Sequence, residues 1–220
     1  MGEMISFSNP EGKTCAGYLA KSSGQRAVVI LQEWWGLNDQ IKGVADRYAA
    51  AGFTALAPDL YDGRVTAEED EASHMMSGLD WVGATEQDVR GAAQYLKSNG
   101  NATVGVLGFC MGGALTIIAC AKVPEVDAGV CYYGIPPAEA ADPANIRVPL
   151  QGHFADRDDW CTPAAADALE AQLKGAGVTH DFYRYACQHG FFNEVRPRVY
   201  DAAAAALAFD RSVEFLGKHL

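Results

Sequence analysis

Val104-Gly105-Val106-Leu107-Gly108-Phe109-Cys110-Met111-Gly112-Gly113-Ala114-Leu115 joins a small-apolar strand pattern to a helix pattern through Gly-x-Cys-x-Gly. A strand that reverses into a helix within one residue leaves the apical side chain strained and exposed at the turn, a nucleophile elbow with cysteine at the apex. Gly108 and Gly112 keep side chains away where the two arms of such a turn approach. The helix that follows begins directly under the thiol, and its positive end favours a thiolate or a developing oxyanion. Alone, the pattern also fits a buried structural cysteine at a glycine-rich helix start.

Working outward, apolar runs suited to strands buried on both faces recur at 27–32, 53–57, 103–107, 128–133 and 148–154, with a further strand pattern at 179–185. Helical faces lie between them. Ile41, Val44, Ala45 and Tyr48 form one, with Asn38 or Asp39 as cap. Val89, Ala92, Ala93 and Leu96 form another, with Thr85 and Asp88 resembling a capping box. Thr162-Pro163 opens a third, and 199–217 reads as a terminal helix. The acidic cluster Glu68-Glu69-Asp70-Glu71 is read as the solvated face of a short helix. Residues 3–8 and 13–19 predict a hairpin around Asn9-Pro10-Glu11-Gly12. Alternation of strand and helix from residue 27 onward predicts a mostly parallel α/β sheet with helices on both faces, antiparallel at its N-terminal edge. No linker or repeat interrupts residues 1–220, so one domain is expected.

A net charge of −11 lacks the basic footprint of a nucleic-acid binder and disfavours an anionic membrane surface. No apolar run approaches membrane-spanning length. The six cysteines form no CxxC pair and no secretory leader pattern precedes them, so reduced thiols and a cytoplasmic location are expected. No cofactor is expected. A metal site built from His153, Asp156 and Asp158 lacks ligand spacing.

In a parallel α/β sheet, function gathers at the C-terminal ends of the strands. There the chain places Glu33, then Cys110, then Asp156, Asp158 and Asp159, then His189. Nucleophile, acid and histidine follow in the chain order this architecture uses for a triad. A thiol needs a base to become thiolate near neutral pH, and a histidine needs a carboxylate to fix its tautomer.

Five stretches carry a resemblance: Gln32-Glu33-Trp34-Trp35-Gly36-Leu37-Asn38, Ala55-Leu56-Ala57-Pro58-Asp59-Leu60-Tyr61, Gly108-Phe109-Cys110-Met111-Gly112-Gly113, Gly152-His153-Phe154-Ala155-Asp156-Arg157-Asp158 and His189-Gly190-Phe191-Phe192. Together they resemble the dienelactone hydrolase family of α/β-hydrolases. The resemblance implies Cys110 as nucleophile, His189 as base and then acid, and Asp158 as the residue that orients it. It gives Glu33 the task of holding and activating the resting thiol. It also implies an oxyanion hole from the backbone N–H groups of Met111 and Trp34. The substrate implied is a small ester or lactone, cleaved through an acyl-enzyme. Thioester hydrolysis, acyl transfer or ligand binding without turnover are the alternatives. Trp35, Phe154, Phe191 and Phe192 are expected to line the substrate pocket. One departure stands out. Family members acting on dienelactone hold its carboxylate with arginines, one four residues after the histidine; here that position is Asn193, and 66–80 has no arginine or lysine. Arg64, Arg90, Arg196 and Arg198 are the candidate substitutes, with surface roles the expectation, and a neutral ester, lactone or thioester is expected over an anionic butenolide.

Overall fold

The computed structural model describes all residues, Met1–Leu220. Eight strands form one sheet: β1 (Glu3–Ser8), β2 (Thr14–Ala20), β3 (Arg26–Leu31), β4 (Thr54–Pro58), β5 (Thr103–Phe109), β6 (Ala128–Tyr132), β7 (Leu150–Arg157) and β8 (His180–Gln188). Their order is β1-β2-β4-β3-β5-β6-β7-β8. The β1–β2 hairpin joins the sheet through an antiparallel β2–β4 pairing, and every pairing from β4 across to β8 is parallel. The antiparallel N-terminal edge matches the sequence reading.

Side-chain alternation along β3 divides the core. Ala27, Val29 and Leu31 face one layer, and Val28 and Ile30 face the other. The first layer is closed by helices α4 (Arg90–Ser98), α5 (Met111–Lys122) and α6 (Pro163–Gly175). The second is closed by α1 (Asp39–Ala50) and α7 (Ala202–His219). All residues of α5 from Met111 to Cys120 are buried, as a helix apolar all round must be.

The caps at Asn38 and Thr162 form as read: Asn38 Oδ1 accepts from Ile41 N–H (3.1 Å) and Thr162 Oγ1 from Ala165 N–H (3.2 Å). The acidic cluster opens α2 (Glu69–Ser77), where negative charge suits the N-terminal dipole. Two readings are corrected. Thr85 and Asp88 are not a capping box. The helical segment starts earlier, at α3 (Trp81–Ala84), capped by Asp80, and continues into α4 through a π-helical turn, Thr85–Val89. Thr85 Oγ1 donates back to Trp81 C=O (2.7 Å), while Asp88 accepts from Asn9 Nδ2 (2.9 Å) in the N-terminal turn. The terminal helix starts at 202, not 199, because Asp201 caps it by accepting from Ala204 N–H (2.9 Å). No helix is long and apolar enough to cross a membrane. All six cysteines are free and buried.

Candidate active site

Cys110 sits between β5 and α5 with φ 56° and ψ −118°, a backbone conformation that L-residues rarely adopt. The turn holds because its neighbours over-determine it. Cys110 N–H donates to Tyr132 C=O (3.0 Å), and Cys110 C=O accepts from Ala114 N–H (3.1 Å). A Cβ on Gly108 would stand 2.2 Å from the Gly112 carbonyl oxygen, and one on Gly112 would stand 2.4 Å from that of Leu31. The two glycines flanking Cys110 are thus required by close approach.

The parallel sheet brings the other strand-end residues to the same edge. His189, just after β8, meets Asp158, just after β7, at 2.7 Å between Nδ1 and Oδ2. Asp158 Oδ1 accepts from the N–H groups of Trp160 and Cys161 (both 2.8 Å). Burial alone would raise the Asp158 carboxyl. The bond to His189, that ring's charge and the two backbone donors outweigh it and hold the carboxyl below its usual range. Asp156 and Asp159 are exposed, so of the three aspartates after β7 only Asp158 meets the histidine.

Glu33, at the end of β3, is 4% exposed. Its Oε1 accepts from Tyr133 Oη (3.1 Å) and its Oε2 from Asn193 Nδ2. Burial pushes this carboxyl up, and the donors Asn193 and Tyr133, with the charges of His189 and Arg196, only partly offset it. The Cys110 thiol is also pushed well up, first by burial and then by the Glu33 charge. The N–H groups of Met111 and Trp34 both bear on the sulfur and pull the other way. The balance disfavours the thiolate at rest, and Cys110 makes no hydrogen bond to His189.

These groups open into a cavity of about 470 Å³. Cys110, Glu33 and His189 line it, with Trp34, Trp35 and Trp160 as aromatic walls. Trp35 lines it as expected. Phe154, Phe191 and Phe192 do not; all three are fully buried in the core. Phe154 packs on Phe182, while Phe191 packs on Tyr133 and Tyr185, and Phe192 on Phe109 and Tyr132. Strand alternation turns Phe154 into the first layer, and the two phenylalanines after His189 anchor its loop from below.

The expectation for the arginines is also corrected in part. Arg64 and Arg90 are surface residues paired with Glu71 and Glu125. Arg196, half-buried, and Arg198, exposed as expected, both stand on the cavity wall. Arg196 stacks 3.6 Å over the Trp35 ring and donates from Nη2 to Ala67 C=O (2.9 Å). Tyr133 was not visible from the sequence. It follows β6 with φ 37°, and its ring packs edge-on against His189. Two of the three non-glycine residues with positive φ, Cys110 and Tyr133, are in this site, as expected where strain serves function. His153, fully buried, lies outside it, and no three potential metal ligands converge in the chain.

The Dienelactone hydrolase family model matches residues 15–220. Among curated relatives, "Protein usf" of Aquifex pyrophilus is 32% identical over 231 residues, covering 100% of both chains. "Carboxymethylenebutenolidase 1" of Cupriavidus pinatubonensis is 28% identical over 231 residues, covering 98% of this chain and 97% of its own. A solved dienelactone hydrolase-like promiscuous phosphotriesterase from metagenomic libraries superposes with a TM-score of 0.84 at 21% identity, covering 99% and 98%. A thermophilic esterase from Thermogutta terrifontis does so at 0.74 and 14%, covering 99% and 94%. These likenesses in structure give the α/β-hydrolase fold.

Proposed function

The chain belongs to the dienelactone hydrolase family of α/β-hydrolases, and from that premise we propose that it cleaves esters or lactones through an acyl-enzyme on Cys110. Membership supports an ester or lactone hydrolase of the dienelactone hydrolase type. The observation that carries the finer reading is the convergence of Cys110 at the elbow, the Asp158–His189 pair and the Met111 and Trp34 N–H groups around one cavity.

In this reading Glu33 takes the thiol proton as substrate enters. The S–H bond breaks, and the thiolate attacks the carbonyl carbon. The tetrahedral oxyanion is held by the Met111 and Trp34 N–H groups, one such donor being worth ~3–4 kcal/mol of barrier. Collapse breaks the C–O bond, and the leaving alkoxide gains a proton whose net source is the thiol. Water, losing its proton to His189, then attacks the thioester carbonyl. Sulfur leaves and regains a proton, and the acid departs. Asp158 stabilises the imidazolium.

Incubation with p-nitrophenyl esters and small lactones, quenched and read by mass spectrometry, tests this. The expected result is an acyl adduct on the Cys110 peptide and loss of turnover in Cys110→Ala. Full activity in Cys110→Ala sinks the reading.

The cavity wall carries two cations, Arg196 and Arg198, beside two carboxylates, Glu33 and Glu69, so no net charge of the lining selects the substrate. Arg196 is engaged by Trp35 and Ala67, whereas Arg198 makes no ion pair and is the one group that would select an acyl chain bearing a carboxylate over the neutral substrate expected from the sequence. Arg198→Ala is expected to raise KM for a carboxylated ester on the order of 10-fold. KM for the matched neutral ester should stay unchanged. Equal effects on both esters would remove the charge argument.

A further inference from the structure

Asn193 stands four residues after His189 and is 1% exposed. Both ends of its amide are engaged. Oδ1 accepts from Val195 N–H (3.2 Å), and Nδ2 donates to Glu33 Oε2. The backbone bond decides which way round the amide stands, so its NH₂ faces the carboxylate. The other oxygen of Glu33 accepts from Tyr133 Oη. Both donors are neutral, and no lysine, arginine or histidine pairs with Glu33 at salt-bridge distance. A buried carboxylate is therefore held at two points without an ion pair. The groups facing it are Cys110 from the elbow, Tyr133 from the end of β6, and His189 and Arg196 from the loop that carries Asn193.

We infer that Asn193 is a positioning residue: its neutral amide orients Glu33 as the proton acceptor for Cys110 and so sets the pH at which the thiol is activated. The inference rests on the reading of Cys110 as nucleophile. Its chemistry is one proton transfer. The S–H bond of Cys110 breaks with its electron pair left on sulfur, and an O–H bond forms on Glu33. A cation at position 193 would orient the carboxylate equally well but would hold its charge and weaken it as a base. An apolar residue would leave Oε2 buried without a partner. An amide orients the group and leaves most of its basicity, which burial has already increased.

The test uses Asn193→Asp, nearly the same shape, and Asn193→Ala, each checked for folding by its urea midpoint. Two profiles against pH are read: kcat/KM on p-nitrophenyl acetate, and the alkylation rate of Cys110 by iodoacetamide, followed on its peptide. A second carboxyl beside Glu33 makes the pair keep a proton to higher pH. The acid limb of both profiles is expected to move up by about one unit or more in Asn193→Asp, and by less in Asn193→Ala. Limbs that stay in place in folded variants, with rates merely scaled down at every pH, would reduce Asn193 to a packing role and overturn the inference. Full turnover in Cys110→Ala instead fails the underlying reading. The alkylation profile needs no turnover, so the two failures are distinguishable.

Discussion

Asp158 divides its two oxygens between tasks. One is fixed by the N–H groups of Trp160 and Cys161, and the other meets His189 Nδ1. In Asp158→Asn the amide oxygen keeps the backbone donors, so its NH₂ must face the imidazole. The ring then presents the wrong tautomer to the reaction. We expect kcat to fall ~10³–10⁴-fold with little loss of stability. Asp156→Asn, at an exposed position, should stay within about two-fold of wild type. Steady-state kinetics on one ester checks both, and equal losses would deny Asp158 its role. At this scale Cys110 and His189 could be read in the sequence because each directly follows a strand, while position alone left Asp156, Asp158 and Asp159 equal and only the family resemblance pointed to Asp158. Tyr133 and Asn193 could not be read there. One owes its place to a positive φ after β6, and the other to a loop whose path depends on Phe191 and Phe192 reaching the core. Neither is encoded by a periodic pattern. The place of Arg196 and Arg198 on the cavity wall was not legible for the same reason, since nothing local tells a loop arginine on a cavity wall from one in open water.

The elbow shows how much a single methyl group can matter to an element. In Gly108→Ala the new Cβ would meet the Gly112 carbonyl at a distance real atoms do not tolerate, and backbone must move. We expect a loss of at least ~2–3 kcal/mol. Gly43, within α1, has nothing within 4 Å of its would-be Cβ. Gly43→Ala should therefore stabilise the protein by ~0.5–1 kcal/mol through helix propensity. Urea denaturation of the two variants should give opposite signs, and a neutral Gly108→Ala would contradict the packing described. Element ends set by a side-chain cap, such as Asn38 and Thr162, were legible. The π turn at Thr85–Val89 was not, because Thr85 looks like a cap until its hydroxyl is seen bonding back to Trp81.

Across the whole molecule, His153, on the penultimate strand β7, ties the sheet to α7. Its Nε2 faces Gln151 Oε1 (2.9 Å) and Ser212 Oγ (3.1 Å), and its Nδ1 faces Tyr185 Oη (2.8 Å), which also accepts from Arg211. Burial, then the Arg211 charge, lower its pKa from 6.5 to about 3. Unfolded chains bind this proton near 6.5 and the native state does not. Stability from this group is complete above 6.5, falls as pH drops through the window to about 3, and is flat below. Glu33 acts with the opposite sign, its raised pKa favouring the fold as it protonates. A comparison with His153→Gln cancels it. The stability difference between wild type and this variant should shrink by up to about 1.4 kcal/mol per pH unit below 6.5. Urea titrations at pH 8, 6.5 and 5 measure it, and a constant difference would show that His153 is not held neutral. The strand order β4-β3-β5-β6-β7-β8 has a further effect. The residues lining the cavity run from Glu33 to Val199, so no short fragment of the chain holds the whole site, and loop-closure entropy must be overcome across most of its length before all of them meet. Turnover is therefore a clock for the last step of folding: secondary structure can return early, but hydrolysis begins only when the far strands have docked.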